Sequence, residues 1–171
     1  MGYTTDFSGQ FDCEPPLKTE HAAFLRKFSD TRRMRRDAEQ AALLPDPIRT
    51  ISGLPIGTEG ANFVGGTGEC GQGTDPSILD YNRPPAGQPG LHCDWTPNDD
   101  GTAIEWNQAE KFYNYVEWLE YLLDQYLKPW GYQLTGTVCW CGEDRDDLGQ
   151  IEALGDKIVV RRGTVVYGDP Q

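Results

Sequence analysis

The residues of this sequence that could carry out chemistry are few, and the two histidines come first because an imidazole titrates near neutral pH. His21 falls in the first turn of a predicted helix, and His92 falls in a predicted strand beside Asp94. Neither accompanies a nucleophile signature such as G-x-S-x-G. Asp94 and Glu105 could form a carboxylate pair for acid–base chemistry, but two solvated acids on an open sheet are the commoner explanation. We predict no catalytic residues and lean against an enzyme.

The five cysteines are odd in number and unevenly spaced, which does not indicate a disulfide framework: Cys13, Cys70, Cys93, Cys139 and Cys141. Cys139 and Cys141 share one face of a predicted strand, and His92, Cys93 and Cys70 could add zinc ligands. Structural zinc sites more often use C-x₂-C knuckles, and Cys93 should point away from His92. We therefore predict no metal, no cofactor and a reducing, cytoplasmic setting.

One short segment concentrates positive charge through four arginines: Arg32, Arg33, Arg35 and Arg36. Guanidinium groups at this density could hold a phosphate-bearing ligand. The alternative, which we favour, is that they neutralise the acidic remainder of the protein.

A glycine-rich loop, Gly65–Gly73, contains Gly66 and Gly68 in the letters G-x-G-x-x-G. Phosphate binding by this motif needs a helix to begin directly after the loop, and Gln72-Gly-Thr-Asp-Pro76 is not helical. We predict no dinucleotide site. The loop stays, together with Arg32–Arg36, a candidate binding site for a nucleotide or a small phosphate compound.

The net charge of the chain is −12, and it is unevenly distributed. Residues 1–44 carry seven positive and seven negative side chains, residues 45–100 two and eight, and residues 101–171 six and twelve. Such a surface repels nucleic acid, attracts basic partners and favours solubility. No apolar run reaches the length of a membrane span, and the start of the chain is not typical of a secretory signal.

Periodicity predicts strands at 3–8, 91–96, 102–107 and 132–141, and a final hairpin at 149–161. A helix should begin near Glu20 and continue to about Leu44, and a second should carry the apolar stripe from Phe112 to Tyr126. Between them, residues 45–90 contain ten Gly and seven Pro, which predicts a long loop excursion.

This order predicts one α+β domain over residues 1–171, with a ferredoxin-like split βαβ plan, two helices on one sheet face and an added C-terminal hairpin. The covered face should carry Phe7, Trp95, Ile104, Trp106, Leu134 and Trp140. The open face should carry Asp6, His92, Asp94, Glu105, Gln133, Thr137, Cys139 and Cys141.

Several segments resemble a group of small acidic hypothetical proteins of bacteria and their phages. The resemblance covers Met1–Phe7, Thr31–Asp37, Phe63–Gly66, Asp80–Leu91 and Glu110–Gly131. In that pattern a Trp stands at the position of His92, Asp-Gly stands at Asn107-Gln108, and cysteines are absent at 139 and 141. The group implies no activity and no site residues.

We therefore expect a non-catalytic acidic binding protein, of a kind that a phage could encode, that acts on a host or defence protein. The alternative is a binder of a nucleotide or small phosphate compound, or an enzyme acting on one. The oligomeric state is open.

Overall fold

A computed structural model describes residues 2–171, which form a mixed α+β structure around an antiparallel sheet, as predicted. The strands are β1 (Thr5–Gly9), β2 (Phe11–Glu14), β3 (Arg35–Arg36), β4 (Ile78–Asp80), β5 (Trp95–Pro97), β6 (Ala103–Trp106), β7 (Gln133–Gly142), β8 (Leu148–Gly155) and β9 (Ile158–Arg162). The helices are α1 (Thr19–Ser29), α2 (Ala38–Ala42), α3 (Pro47–Ile51) and α4 (Tyr115–Leu122), the last followed by a π-helical turn, Leu123–Leu127. Within residues 2–171, no helix is both long and apolar enough to cross a membrane.

The main sheet has the strand order β5-β6-β2-β7-β8-β9, and β1 also pairs with β7. Strands β1 and β2 follow the same register along β7, so they act as one strand that is interrupted at Gln10. Gly9 and Gly136 allow this irregularity, since both have positive φ and a Cβ on either would lie within 2.7 Å of a backbone oxygen across the strands. Strands β3 and β4 form a separate two-stranded ribbon.

Cross-strand pairing places the predicted core residues on one face of the sheet. The pairs on that face are Phe7–Trp140, Phe11–Ile104, Cys13–Leu134, Trp95–Trp106 and Val138–Ile151. Helices α1 and α4 contribute buried Phe24, Phe28, Trp118 and Leu119 to the same hydrophobic cluster. Period-two alternation therefore identified the covered face correctly.

The first helix is shorter than predicted, because it ends at Ser29 and does not reach Leu44. The Thr31 hydroxyl donates to the carbonyl of Lys27 at 2.6 Å, in the last turn of α1. The following residues are extended, and their backbone amides bond to distant parts of the chain. The amide of Arg32 donates to Cys70 O at 2.9 Å, and that of Arg33 donates to Leu91 O at 2.8 Å.

The excursion over residues 45–90 is more regular than the predicted loop, because it contains α3 and β4 and is fixed by the arginine segment. The guanidinium of Arg33 is buried over the ring of Phe28 and donates to the carbonyls of Ala61 and Phe63, both at 2.8 Å. Backbone carbonyls of a loop that leaves the sheet need such donors when they are buried.

The other three arginines also contact the excursion. Arg36 is buried over the ring of Phe63 and donates to Asp75 at 2.6 Å and to Ser77 at 2.7 Å. The remaining contacts are Arg35 with Glu59 at 3.1 Å and Arg32 with the ring and carbonyl of Tyr81. The basic segment therefore fixes this protein's own chain.

Removing the Arg33 guanidinium should strongly destabilise the protein. In R33M, the carbonyl of Phe63 loses its donor and that of Ala61 keeps only the donor from Gln88, so the free energy of unfolding should fall by about 3 kcal/mol. Urea denaturation measures this loss. The matched control is R35Q, which removes a half-exposed ion pair and should cost less than about 1 kcal/mol. Equal costs for the two variants would contradict the anchoring role.

Candidate functional site

A cleft of about 430 Å³ opens where the C-terminus of α1, the turn Gly68–Gly71 and the segment 107–111 meet. The side chains that line it include titratable groups of five types: Lys27, Asp30, Cys70, His92, Asp94, Glu110 and Lys111. A cleft of this size fits a small molecule. We therefore regard it as the candidate functional site.

The backbone amides of two neighbouring residues, Arg32 and Arg33, each hold one wall of the cleft. The amide of Arg32 holds Cys70 through its carbonyl, and the amide of Arg33 holds Leu91, which precedes His92. Gly71 closes the turn against Thr31, where an added Cβ would lie 2.9 Å from the Thr31 Cα. The cleft therefore depends on close backbone packing at this point.

Asp94 is a buried carboxyl group within this cleft. Burial raises its pKa from 3.8 to about 6, although a hydrogen bond from the Asn107 side chain at 3.3 Å opposes the shift. The same Asn107 amide also contacts the Ser29 hydroxyl at 3.2 Å and so links α1 to the carboxyl group. Asp94 can therefore exchange a proton close to neutral pH.

His92 is half-buried, and its pKa is lowered first by burial and then by the charge of Arg32. A lowered pKa keeps the imidazole neutral at pH 7, where one ring nitrogen can accept a proton. A neutral base and a carboxyl group with a raised pKa thus line the same cleft. This combination is suited to general acid–base chemistry.

Strained backbone also concentrates at this cleft. Cys70, Gln108 and Lys111 are non-glycine residues with φ of 51°, 67° and 67°. Cys70 and Lys111 line the cleft, and Gln108 lies between two lining residues. Such conformations each cost about 1–3 kcal/mol and cluster at functional sites, where surrounding contacts enforce them.

A second cleft of about 400 Å³ adjoins the first and shares His92, Glu110 and Lys111 with it. Its other wall includes Asn114, which also has positive φ and whose side chain donates to Pro89 O at 2.9 Å. His92 therefore lies between two cavities, and a ligand in either one could contact it.

The structure ties most of the predicted phosphate-binding groups into the fold, although the backbone amide of Arg32 contacts the glycine-rich loop. The guanidinium groups of Arg33 and Arg36 are buried in contacts with the excursion. Gly66 is buried against Gly71 and Thr31, whereas Gly68 lines the cleft beside His92 and Asp94. Thus only Gly68 of the predicted phosphate-binding residues reaches the candidate site.

The predicted open face is partly correct as a set of outward-facing residues. By strand register, Asp6, Glu105 and Thr137 lie on the face opposite the core pairs. His92 and Asp94 precede β5, which begins at Trp95, and both line the cleft. The carbonyl of Asp94 still accepts from the Asn107 amide at 2.9 Å, whereas that of Leu91 accepts from the Arg33 amide.

The candidate zinc ligands are also dispersed. Cys70 and His92 line the cleft, Cys93 is fully buried, and Cys139 and Cys141 are exposed on the outward face of β7. Within residues 2–171, no three His, Cys, Asp or Glu side chains form a metal-ligand group.

Sequence reasoning missed several cleft residues: Lys27, Ser29, Asp30, Asn107, Glu110 and Lys111. These residues come from the end of a helix and from an irregular segment. Neither the motifs nor the periodicity of the sequence distinguishes them from ordinary surface residues.

No protein-family model, curated protein or solved structure matches this chain. The resemblance to small hypothetical proteins of bacteria and phages therefore stays a prediction. Any functional assignment depends on the geometry and electrostatics of the site.

The raised pKa of Asp94 gives a signed prediction for stability against pH. The pKa is about 6 in the folded protein, above its ordinary value of 3.8, so ionisation opposes folding. The contribution of Asp94 to stability is therefore full below about pH 4 and is lost as the pH rises through 6. From pH 4 to 7.5, D94N should gain up to about 3 kcal/mol in unfolding free energy relative to the wild type.

Urea denaturation of both proteins across this pH range measures the difference. Because His92 is present in both, its own titration largely cancels in the comparison. A difference that does not change with pH would show that the carboxyl group is not perturbed by burial.

Proposed function

We propose that the protein binds a small zwitterionic molecule in the His92–Asp94 cleft and exchanges a proton with it. The observation that carries this proposal is the convergence of a buried carboxyl group with a raised pKa and a neutral imidazole in one strained cleft. Perturbed titratable groups in a cavity of small-molecule size are typical of binding and catalytic sites.

The charge pattern of the lining supports a ligand with both signs of charge. Lys27 and Lys111 provide cations, and Asp30, Asp94 and Glu110 provide carboxylates. Lys111 lies 3.4 Å from Glu110, so part of this charge is already paired at the rim. A ligand that carries an ammonium and a carboxylate could pair with both types of group.

The same pattern disfavours a nucleotide or a free phosphate compound. Two lysines face three carboxyl groups, so a dianion would meet at least as much repulsion as attraction. The guanidinium groups that could have reversed this balance bind the excursion. The earlier phosphate hypothesis is therefore the less supported one.

Proton exchange would use His92 and Asp94 in complementary roles. The neutral imidazole accepts a proton from the bound molecule, and the protonated fraction of Asp94 donates one. Asp94 changes protonation close to neutral pH, whereas the His92 imidazole is neutral there and available to accept a proton. Cys70, exposed in the same lining, supplies a possible contact to the ligand but has no basic partner that the structure identifies.

A thermal-shift panel tests the ligand class. At concentrations far above Kd, amino acids and related zwitterions should stabilise the protein by a few kcal/mol, whereas nucleotides and inorganic phosphate should not. The variants D94N and H92Q should lose this stabilisation. The control D124N removes an exposed carboxylate of the α4 extension, paired with Lys128, and should retain it.

Stabilisation by nucleotides or phosphate but not by zwitterions would overturn the proposed ligand class. An equal response of D94N and D124N to the same ligand would place binding outside the cleft.

A protein partner is the second candidate function. It is supported by the outward face of the sheet, on which Asp6, Thr137 and Leu154 are exposed. The acidic net charge favours a basic partner for such a face.

A pull-down from host lysate distinguishes the two surfaces. A stoichiometric partner should be captured by the wild type and by D94N, and lost with the outward-facing double substitution D6R/T137R, which reverses one charge and adds another. Capture that is unaffected by D6R/T137R would remove this candidate.

We also propose that the main sheet and its two covering helices follow the ferredoxin-like plan. It is supported by the order β5-β6-β2-β7 in the sheet, with α1 between β2 and β5 in the chain and α4 between β6 and β7. In this interpretation β8 and β9 extend the unit beyond β7.

A further inference from the structure

The indole nitrogen of Trp118 is a buried hydrogen-bond donor without an acceptor. Trp118 lies on α4 and is fully buried, and within residues 2–171 its Nε1 atom finds no hydrogen-bond partner. Other indole N–H groups of the protein do find protein oxygens, namely those of Trp95, Trp106 and Trp140. Buried polar groups are nearly always paired, so an unpaired donor can mark a place that a ligand completes.

The lining of the second cleft, the one of about 400 Å³, leads to this donor through Gly90. A Cβ atom on Gly90 would lie 3.4 Å from Asn114 Nδ2 and 3.6 Å from Trp118 Nε1. Apart from the chain neighbours of Gly90, no other described atom would lie within 4 Å of that position. Because Gly90 has no side chain, it leaves a small recess bounded by two nitrogen donors, which we call the Gly90 notch.

The two donors of the Gly90 notch are suited to one oxygen atom. Asn114 also lines the second cleft, and its amide nitrogen donates to Pro89 O at 2.9 Å, which uses one of its two N–H groups. A carbonyl oxygen has two lone pairs, so it can accept from Asn114 and from Trp118 together. Trp118 Nε1 is closed to solvent, whereas Asn114 is exposed, so a small movement of the Asn114 side chain admits the oxygen.

The charges around the notch favour an uncharged acceptor. The lining of the second cleft contains one cation and one carboxylate, Lys111 and Glu110, and these two groups lie 3.4 Å apart. The pKa of His92 is lowered by burial and by the charge of Arg32, so its imidazole is neutral at pH 7. A carbonyl oxygen of an amide satisfies both donors and adds no charge to this balance.

We infer that the Gly90 notch binds the carbonyl oxygen of an amide group carried by the ligand of the His92–Asp94 cleft. The two clefts adjoin at His92, so a zwitterion held in the first can extend its side chain into the second. The identity of the ligand rests on the proposed function, whereas the notch can be tested by itself. The ligand class narrows to amino acids and related zwitterions with an amide in the side chain.

The indole N–H signal of Trp118 in the nuclear magnetic resonance spectrum of isotope-labelled protein reports directly on the notch. Acetamide should move this signal downfield in a saturable way, because the N–H group gains an acceptor. Acetate should bind more weakly, because it brings a charge close to the carboxylate of Glu110. Methylammonium should leave the signal unchanged, because it offers no acceptor.

The variant G90A fills the notch with a methyl group. The new contacts are ordinary van der Waals distances, and Gly90 does not have the left-handed backbone that favours glycine, so the protein should keep its thermal stability. Loss of the hydrogen bonds should weaken acetamide binding about tenfold. The matched control is G168A, which adds a methyl group where nothing lies within 4 Å and should bind acetamide as the wild type does.

Two amino acids test the link between the notch and the ligand of the first cleft. Glutamine and norleucine have side chains of similar length, but only glutamine carries an amide. In calorimetric titrations, glutamine should bind the wild type about tenfold more tightly than norleucine. G90A should remove this advantage, and D94N should weaken the binding of both.

An unchanged Trp118 signal in acetamide, or an equal response in folded G90A, would overturn the notch as a binding site. Tighter binding of acetate than of acetamide would overturn the choice of an uncharged group. Equal binding of glutamine and norleucine that D94N weakens would remove the link to the notch and leave the proposed function standing. If acetamide moves the signal but neither amino acid binds, the notch stands and the ligand proposed for the His92–Asp94 cleft is wrong.

Discussion

The arrangement of the excursion and of the two covering helices depends on the contacts of the buried Arg33 guanidinium. It satisfies the carbonyls of Ala61 and Phe63 and contacts the Gln88 side chain at 3.3 Å. Gln88 in turn donates to Ala61 O and to the Tyr121 hydroxyl on α4. A single buried cation thus connects the excursion to both helices that cover the sheet, through Phe28 on α1 and Tyr121 on α4.

The candidate site is a consequence of this anchoring. The backbone amides of Arg32 and Arg33 hold Cys70 and Leu91, so the segment that fixes the excursion also sets the separation of the cleft walls. The strained residue Cys70 is held by the same packing. The site is assembled from the end of α1, a turn of the excursion and the segment that leads into β5. Such a site can hold titratable groups away from water, whereas a flat sheet face leaves them solvated.

The electrostatic character of the His92–Asp94 cleft follows from its construction. The cleft mixes both signs of charge and buries a carboxyl group. It is formed in part by irregular backbone with positive φ, whereas the outward face of β7 is formed by paired strands. The cleft is therefore suited to selecting a polar ligand.

What the sequence determined by itself is the sheet and its buried side. Alternation in Phe7, Trp95, Trp106 and Trp140 gave both the strands and the covered face, because side chains of a paired strand must point alternately. The periodic stripe of α4 was equally readable, because a helix repeats its contacts locally. Only the tertiary structure decided the roles of the arginines, His92 and Asp94. Their partners are backbone carbonyls and cleft walls from distant segments, and the position of a carbonyl group in space leaves no signal in local residue order.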